Sequence, residues 1–334
     1  MKKYQLYGIG NALVDKEFEV DDSFFTETGI EKGFMTLIEE EQQQQLLDTL
    51  NSRYTQVKQA GGGSAANTLY AFSQLGGKAY FSCKVANDEP GDFYVRELGH
   101  HNIETNLGQV RESGTTGRCL VMVTPDAERT MLTHLGISQL VSVSELDYTA
   151  IAQSEMVYFE GYLVTSETAK AAVLTLKSEA QANGVKTVLT FSDPAMVEYF
   201  RDGINEILGE GVDLLFCNEK EAKIWAQTET LQAACERLQT RAKTFAITLG
   251  ARGALLFDGE HYHEIPAHKV EAVDTNGAGD MFAGAFLFGL ARGLDFAAAG
   301  KLASLASATV VSHFGPRLQP EQHQQLLRSL QLDA

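Results

Sequence analysis

Val273-Asp-Thr-Asn-Gly-Ala-Gly-Asp280 leads without interruption into Met281-Phe-Ala-Gly-Ala-Phe-Leu-Phe-Gly-Leu290. A glycine-rich turn thus feeds an apolar stretch of helix length. Glycines let the backbone turn tightly, and the first amides of a helix have no partner inside it, so the macrodipole favours an anion there. The segment is a candidate anion hole. Asp280 stands at its mouth, where a carboxylate could take the proton of an attacking hydroxyl. The amides of Gly277, Ala278 and Gly279 could then stabilise charge on a transferring phosphoryl group. The plain alternative is a helix cap on an ordinary turn, since aspartate is favoured at helix starts.

Upstream, apolar strand runs alternate with helical periodicity, the rhythm of a mostly parallel sheet with helices on both faces. Candidate strands are Tyr4–Ile9, Ala79–Cys83, Met156–Phe159, Thr187–Phe191, Leu214–Cys217, Thr244–Thr248 and Ala254–Phe257. Helical patterns run over Thr168–Asn183, Leu231–Thr240 and Asp295–Val311. Two segments break the rhythm. Roughly 16–38 and 105–135 alternate charged and apolar residues around turn signals, as half-exposed strands do, and pairing them into one small sheet would make a lid. No internal repeat or flexible linker divides the chain, so all of residues 1–334 are expected to form one α/β domain carrying that lid.

Composition narrows the function. Against 27 basic side chains stand 44 acidic ones, a formal charge of −17, which argues against a nucleic-acid partner because such binding rests on neutralising phosphates. No stretch approaches the ~20 apolar residues of a membrane span. Cys83, Cys119, Cys217 and Cys235 are scattered, form no CxxC pair and follow no secretory start, so reduced thiols and a cytoplasmic location are expected. The eight histidines form no metal-ligand set. Neither a G-x-G-x-x-G fingerprint nor a P-loop occurs.

Four further clusters offer chemistry, each with an ordinary structural alternative. Gly61-Gly-Gly-Ser-Ala-Ala-Asn67 precedes a helical pattern, where glycines permit close backbone approach and Asn67 offers both a donor and an acceptor to a polyol. Taken alone, a simple turn before a helix is the better explanation, since such glycine-rich turns are common. Asn11 and Asp15 follow the first strand and could bind neighbouring hydroxyls or merely shape a turn. Asn218-Glu-Lys-Glu221 begins a helix after an apolar strand. Its oxygens could orient waters around Mg2+, or it could be a solvated cap. Thr248-Leu-Gly-Ala-Arg-Gly253 puts Gly250 and Gly253 past a strand, where backbone can approach a nucleotide or simply turn.

In their order along the chain, from Asn11 and Asp15 through the Gly62–Asn67, Asn218–Glu221 and Thr248–Gly253 clusters to Asp274–Asp280, the clusters resemble the ribokinase-like (PfkB) family of carbohydrate and nucleoside kinases, and the likeness spans nearly the whole chain. The resemblance implies that Asp280 activates a primary hydroxyl, with Gly277, Ala278 and Gly279 holding the γ-phosphoryl group. It implies that Asn218 and Glu221 organise Mg2+ through water. Thr248, Gly250 and Gly253 would lie against ATP, with His313 in Ser312-His-Phe-Gly315 closing the adenine pocket. Asn11, Asp15, Gly62, Gly63, Asn67 and Asn276 would hold the acceptor, and Arg129 would help neutralise phosphate. Some members carry a monovalent-cation site, here near Asp274, and some dimerise through the lid.

Within the family, Asn11 four residues before Asp15, Ser64 after two glycines and Asn276 look closer to adenosine kinases than to sugar kinases. Glu160-Gly-Tyr162 resembles the segment that sets an aromatic beside the nucleobase. The expected activity is ATP-dependent phosphorylation of the 5′-hydroxyl of a purine nucleoside. A sugar kinase acting on ribose, fructose or a sugar acid would use the same residues, and a catalytically silent nucleoside sensor is the alternative from another class.

Overall fold

A computed structural model describes residues 2–99, 101, 103–108 and 111–329; positions 109 and 110 of the second excursion and both chain ends lie outside the described residues. Fourteen strands are present among the described residues. They are β1 (Tyr4–Ile9), β2 (Leu13–Glu19), β3 (Met35–Leu37), β4 (Gln56–Gly62), β5 (Ala79–Ser82), β6 (Ile103–Thr105) and β7 (Thr116–Val123). The later ones are β8 (Arg129–Gly136), β9 (Ser154–Glu160), β10 (Lys186–Thr190), β11 (Val212–Asn218), β12 (Ala242–Thr248), β13 (Ala254–Phe257) and β14 (Tyr262–Ile265).

Nine strands form the large sheet in the order β14-β13-β12-β11-β10-β9-β1-β5-β6. From β12 to β6 every pairing is parallel, and only the β12-β13-β14 edge is antiparallel. The mostly parallel sheet expected from the alternating pattern is therefore present. The chain leaves β1 toward β5 and β6, then returns to lay β9 on the other side of β1 and continue to β12. That reversal makes a crevice at the carboxyl ends of β1 and β9, the place where open α/β sheets bind ligands. Asn11 and Glu160 stand at those two ends.

The remaining strands form a second sheet in the order β3-β8-β7-β2-β4. It differs from the two-excursion expectation in three ways. It takes β4 as well, since Gln56–Gly62 pairs antiparallel with β2 on the side away from β7. It lacks Thr105, where the second excursion was expected to begin and which instead ends the strand Ile103–Thr105, paired with β5 in the large sheet. Its back is not half-exposed: Phe18, Leu120, Met122 and Leu132 pack there against Phe24, Phe25, Leu47 and Leu50 from the helices Asp22–Thr28 and Glu40–Arg53. Strand alternation then turns Leu13, Asp15, Cys119, Arg129, Met131, Thr133 and Leu135 to the opposite face, over the crevice.

The apolar run after Asp280 forms the helix Ala278–Ala291, buried on all sides from Met281 to Gly289. A helix without a polar face must be covered all round. The large sheet, the helix Phe296–Val311 and the helix Ser64–Gln74 cover it. Phe286 meets Phe216 and Phe296 edge-on at 5.7 and 5.2 Å between ring centres. The contact with Ser64–Gln74 is closer than most side chains allow: a Cβ on Gly284 would lie 2.5 Å from the Thr68 carbonyl oxygen and 2.7 Å from the Ala71 Cβ. All four cysteines are buried and free, and among the described residues no helix is long and apolar enough to cross a membrane.

Gly284→Ala should therefore destabilise the fold by about 1–3 kcal/mol through overpacking, despite the ~1 kcal/mol that alanine gains over glycine in an open helix. Urea unfolding measures the difference. A variant at least as stable as the parent would show that the two helices are not held at this separation.

Candidate active site

Gly277 caps the helix Ala278–Ala291 in the left-handed conformation, φ 73°, where a Cβ would collide with Pro316. Asp274 ties the turn together. Its Oδ1 accepts from Asn276 N and its Oδ2 from Gly315 N, both at 2.8 Å. The first amides of the helix do not behave alike. Ala278 N donates to the Thr275 carbonyl at 3.3 Å, whereas among the described residues the N–H groups of Gly277, Gly279 and Asp280 have no acceptor. Of the expected Gly277, Ala278 and Gly279, the first and last thus keep free donors, while the turn closes on Ala278 and Asp280 N stands free in its place.

Asp280 lies in the first turn of this helix, partly accessible, and its carboxylate is held by the start of the other. Ser64 Oγ donates to Oδ1 at 2.6 Å and Asn67 Nδ2 to Oδ2 at 3.2 Å. Burial pushes the Asp280 carboxyl above the ordinary aspartate value, and the Ser64 and Asn67 hydrogen bonds and the positive charges of Arg129 and Arg317 oppose that shift. Ser64 was not legible as a site residue, since no serine-hydrolase setting surrounds it. Its signal was its place at the start of a helix after three glycines.

Asp280 forms part of the wall of two adjoining chambers. The first brings together Asn11, Asp15, Gly63, Asn67, Tyr162 and Asn276, residues far apart in sequence. Leu13, Met35, Leu37, Met131 and Leu135 give it an apolar roof. Gly62 is not on the wall; a Cβ there would fall on the Asp15 carboxylate, so its role is to let Asp15 pack. Asp15 is 5% exposed, and burial next to Glu17 raises its carboxyl well above the usual range. Asn276 keeps a buried Nδ2 without a partner among the described residues.

Glu160, at the end of β9, is fully buried and bridges two elements. Its Oε1 accepts from Asn11 N at 2.8 Å and its Oε2 from Ala65 N at 2.6 Å. Burial lifts its carboxyl to about 7, against the pull of those amides. This brace fixes the first strand to the start of the Ser64–Gln74 helix. The sequence signal for it was a lone acid ending an apolar strand run. Arg317, equally unforeseen, reaches Asn67 from behind with a 2.9 Å bond from Nε to Oδ1.

The second chamber shares Met35, Arg129, Met131, Ser192, Thr275, Ala278, Gly279 and Asp280 with the first. Asp193, Asn218, Glu221 and Thr248 complete its far side. Asn218 and Glu221 close a capping box: Asn218 N and Nδ2 donate to Glu221 at 2.9 and 2.7 Å, and Glu221 N returns a bond to Asn218 Oδ1 at 2.8 Å. Burial raises the Glu221 carboxyl to about 8, and neighbouring Asp193 adds to the shift. The guanidinium of Arg129, which borders both chambers, meets only the Met131 sulfur, with no carboxylate in ion-pair reach among the described residues. Gly250, Gly253 and His313 line neither chamber. The His313 ring instead bonds the Thr309 carbonyl and Gln322.

The crystal structure of adenosine kinase from Sinorhizobium meliloti superposes with a TM-score of 0.92 at 34% identity, covering 98% of this chain and 99% of that one. A probable sugar kinase from Rhizobium etli gives 0.93 at 31% identity, with both chains covered completely. Adenosine kinase 2 of Arabidopsis thaliana is 26% identical over 332 residues, 93% of this chain and 94% of its own length. Residues 34–323 match the pfkB family carbohydrate kinase pattern, and with two glycine-led helix starts meeting at one aspartate the chain belongs to that family of kinases.

Proposed function

We propose that this kinase transfers the γ-phosphoryl group of ATP to the 5′-hydroxyl of a purine nucleoside, adenosine before inosine or guanosine. The observation that carries the reading is Asp280 standing where two chambers of different chemistry meet. One has buried acceptors for hydroxyls, Asp15 and Asn67, under a roof of Leu13, Met35, Leu37, Met131 and Leu135 with Tyr162 alongside. A bare sugar has no use for so much apolar wall, whereas a ribose with a flat base attached fills both parts. The likeness to the S. meliloti adenosine kinase supports the same choice.

The chemistry follows from the arrangement. Asp15 accepts hydrogen bonds from ribose hydroxyls and fixes the acceptor, which converts encounter into an oriented attack. Asp280 takes the proton of the attacking hydroxyl as its oxygen bonds to phosphorus, and the leaving ADP oxygen keeps the electron pair of the broken bond. The free amides of Gly277, Gly279 and Asp280 and the unpaired Arg129 face the charge spread over the phosphoryl oxygens. Mg2+ supplies further neutralisation of the phosphates when bound. Glu221 and Asp193 are hard oxygen donors on that wall and fit it. Both Glu221 oxygens already accept from Asn218, which suits contact through water rather than direct ligation.

The R. etli likeness favours a second reading, in which the acceptor is a simple sugar and the apolar roof closes over it unused. An acceptor panel with Mg-ATP separates the two. Adenosine should be turned over best, and ribose or fructose turned over in preference to every nucleoside would replace the first reading with the second.

Asp280→Asn should lower kcat by about 10²–10⁴-fold while acceptor and ATP still bind; unchanged turnover would remove the residue from the reaction. Asp15→Asn should instead raise the acceptor KM about 10–100-fold, the worth of a charge-assisted hydrogen bond of about 1.5–3 kcal/mol, with the ATP KM unaltered. In the parent enzyme kcat/KM should fall as pH is lowered, because the base acts ionised, and the midpoint should lie above the ~3.9 of a free aspartate. A flat profile down to that value would contradict the raised carboxyl.

A further inference from the structure

Arg317 lies behind the cleft and lines neither chamber, yet it touches the machinery at one remove. It is 5% exposed. Its Nε donates to Asn67 Oδ1 at 2.9 Å, its Nη1 to Glu97 Oε1 at 3.1 Å, and its guanidinium carbon stands 4.8 Å from the centre of the Tyr70 ring. Tyr70 also donates from its hydroxyl to the Leu318 carbonyl at 2.9 Å, and Glu97 accepts from Gly61 N. The arginine is therefore held by Glu97 and Tyr70, each fixed in turn, before it reaches Asn67.

A side-chain amide has a donating end and an accepting end, and the two have opposite effects on a carboxylate. Turned one way, Asn67 stabilises charge on Asp280; turned the other, its oxygen repels it. Arginine has no acceptor atom, so it engages only the Asn67 oxygen. That leaves Nδ2 for Asp280 Oδ2.

Resting on the kinase reading above, we propose that Arg317 is a positioning residue for phosphoryl transfer, locking the Asn67 amide so that Asp280 is held ionised and aimed at the acceptor hydroxyl. Asp280 is surrounded by groups of both signs. Ser64 and Asn67 face it from the Ser64–Gln74 helix, Arg129 and Asp15 from the small sheet, Tyr158 and Glu160 from β9, Tyr162 from the turn beyond, and Arg317 from the C-terminal segment. Asp15 and Glu160 oppose its ionisation, and Arg129 and Arg317 favour it. Of the two cations, only Arg317 also sets the direction of a hydrogen bond to the base.

Two variants test this in the full chain. Glu97→Gln combined with Arg317→Met removes the buried pair together and leaves no lone charge. Arg317→Lys keeps the charge but loses the planar fork that grips Asn67 and Glu97 at once. Both are followed by kcat and KM for acceptor and for ATP from about pH 5 to 9, beside thermal melts. The double variant should move the acidic limb of kcat/KM upward by about one pH unit, a tenfold loss below the limb. Arg317→Lys, which keeps the charge but frees the Asn67 amide, should move the limb upward by less than the double variant and lose about tenfold in acceptor kcat/KM, with ATP KM unaltered in both. A merely structural role would lower the melting temperature and leave the limb where it is, which overturns the inference. If the double variant does not fold, Arg317→Lys with parental acceptor kcat/KM overturns it alone. An inactive parent enzyme sinks the kinase reading and this inference together; an active parent with unmoved variants sinks this inference only.

Discussion

Two helices can aim their first turns at one point only if their axes come close enough for those turns to touch. Here the condition is met at Gly284, where the Ala278–Ala291 helix lies against the Thr68 carbonyl and Ala71 of its neighbour. Any larger residue would push the helices apart, and the hydrogen bonds from Ser64 and Asn67 to Asp280 would lengthen together. The site is thus a consequence of a packing distance in the core. Glu160 holds the same junction from the sheet side, and the Phe314–Leu318 segment holds it from behind through Pro316, Gly315 and Arg317.

The electrostatics follow from that crowding. Asp15, Glu160 and Asp280 all lie where water is scarce, so each carboxyl holds its proton more tightly than in solution. Such a cluster is unfavourable for folding unless donors and cations compensate, and the chain supplies backbone amides, Ser64, Asn67, Arg129 and Arg317. A base whose proton affinity lies above that of a free aspartate accepts a hydroxyl proton more readily. The arrangement trades stability for reactivity, as strained or desolvated sites generally do.

The small sheet contributes by a different rule. Because side chains alternate along a strand, one set of residues packs against the two covering helices and the other set faces the crevice. The same strands therefore build a small core and half of the acceptor chamber. Arg129 belongs to this sheet but borders both chambers, so the position of the sheet and the charge balance at Asp280 are coupled.

Much of this was legible in the residues themselves. Local propensity and periodicity are written in neighbouring positions, so the mostly parallel sheet, the glycine-led helix starts and the candidates Asp280, Asn67, Asp15 and Glu221 could be read from spacing and residue type. Other features depended on partners distant along the chain. The pairing of β4 with β2, the donation from Ser64, the brace of Glu160 and the reach of Arg317 across 250 positions to Asn67 are settled by which surfaces fit once the core closes. The same holds for the free amides at the helix start, where a closed turn takes Ala278 out of the set and leaves Asp280 N in its place. The sequence by itself determined which groups were available and which elements would carry them. Tertiary structure decided which groups meet, because contact between remote residues is set by packing distance and register, and no local pattern encodes either.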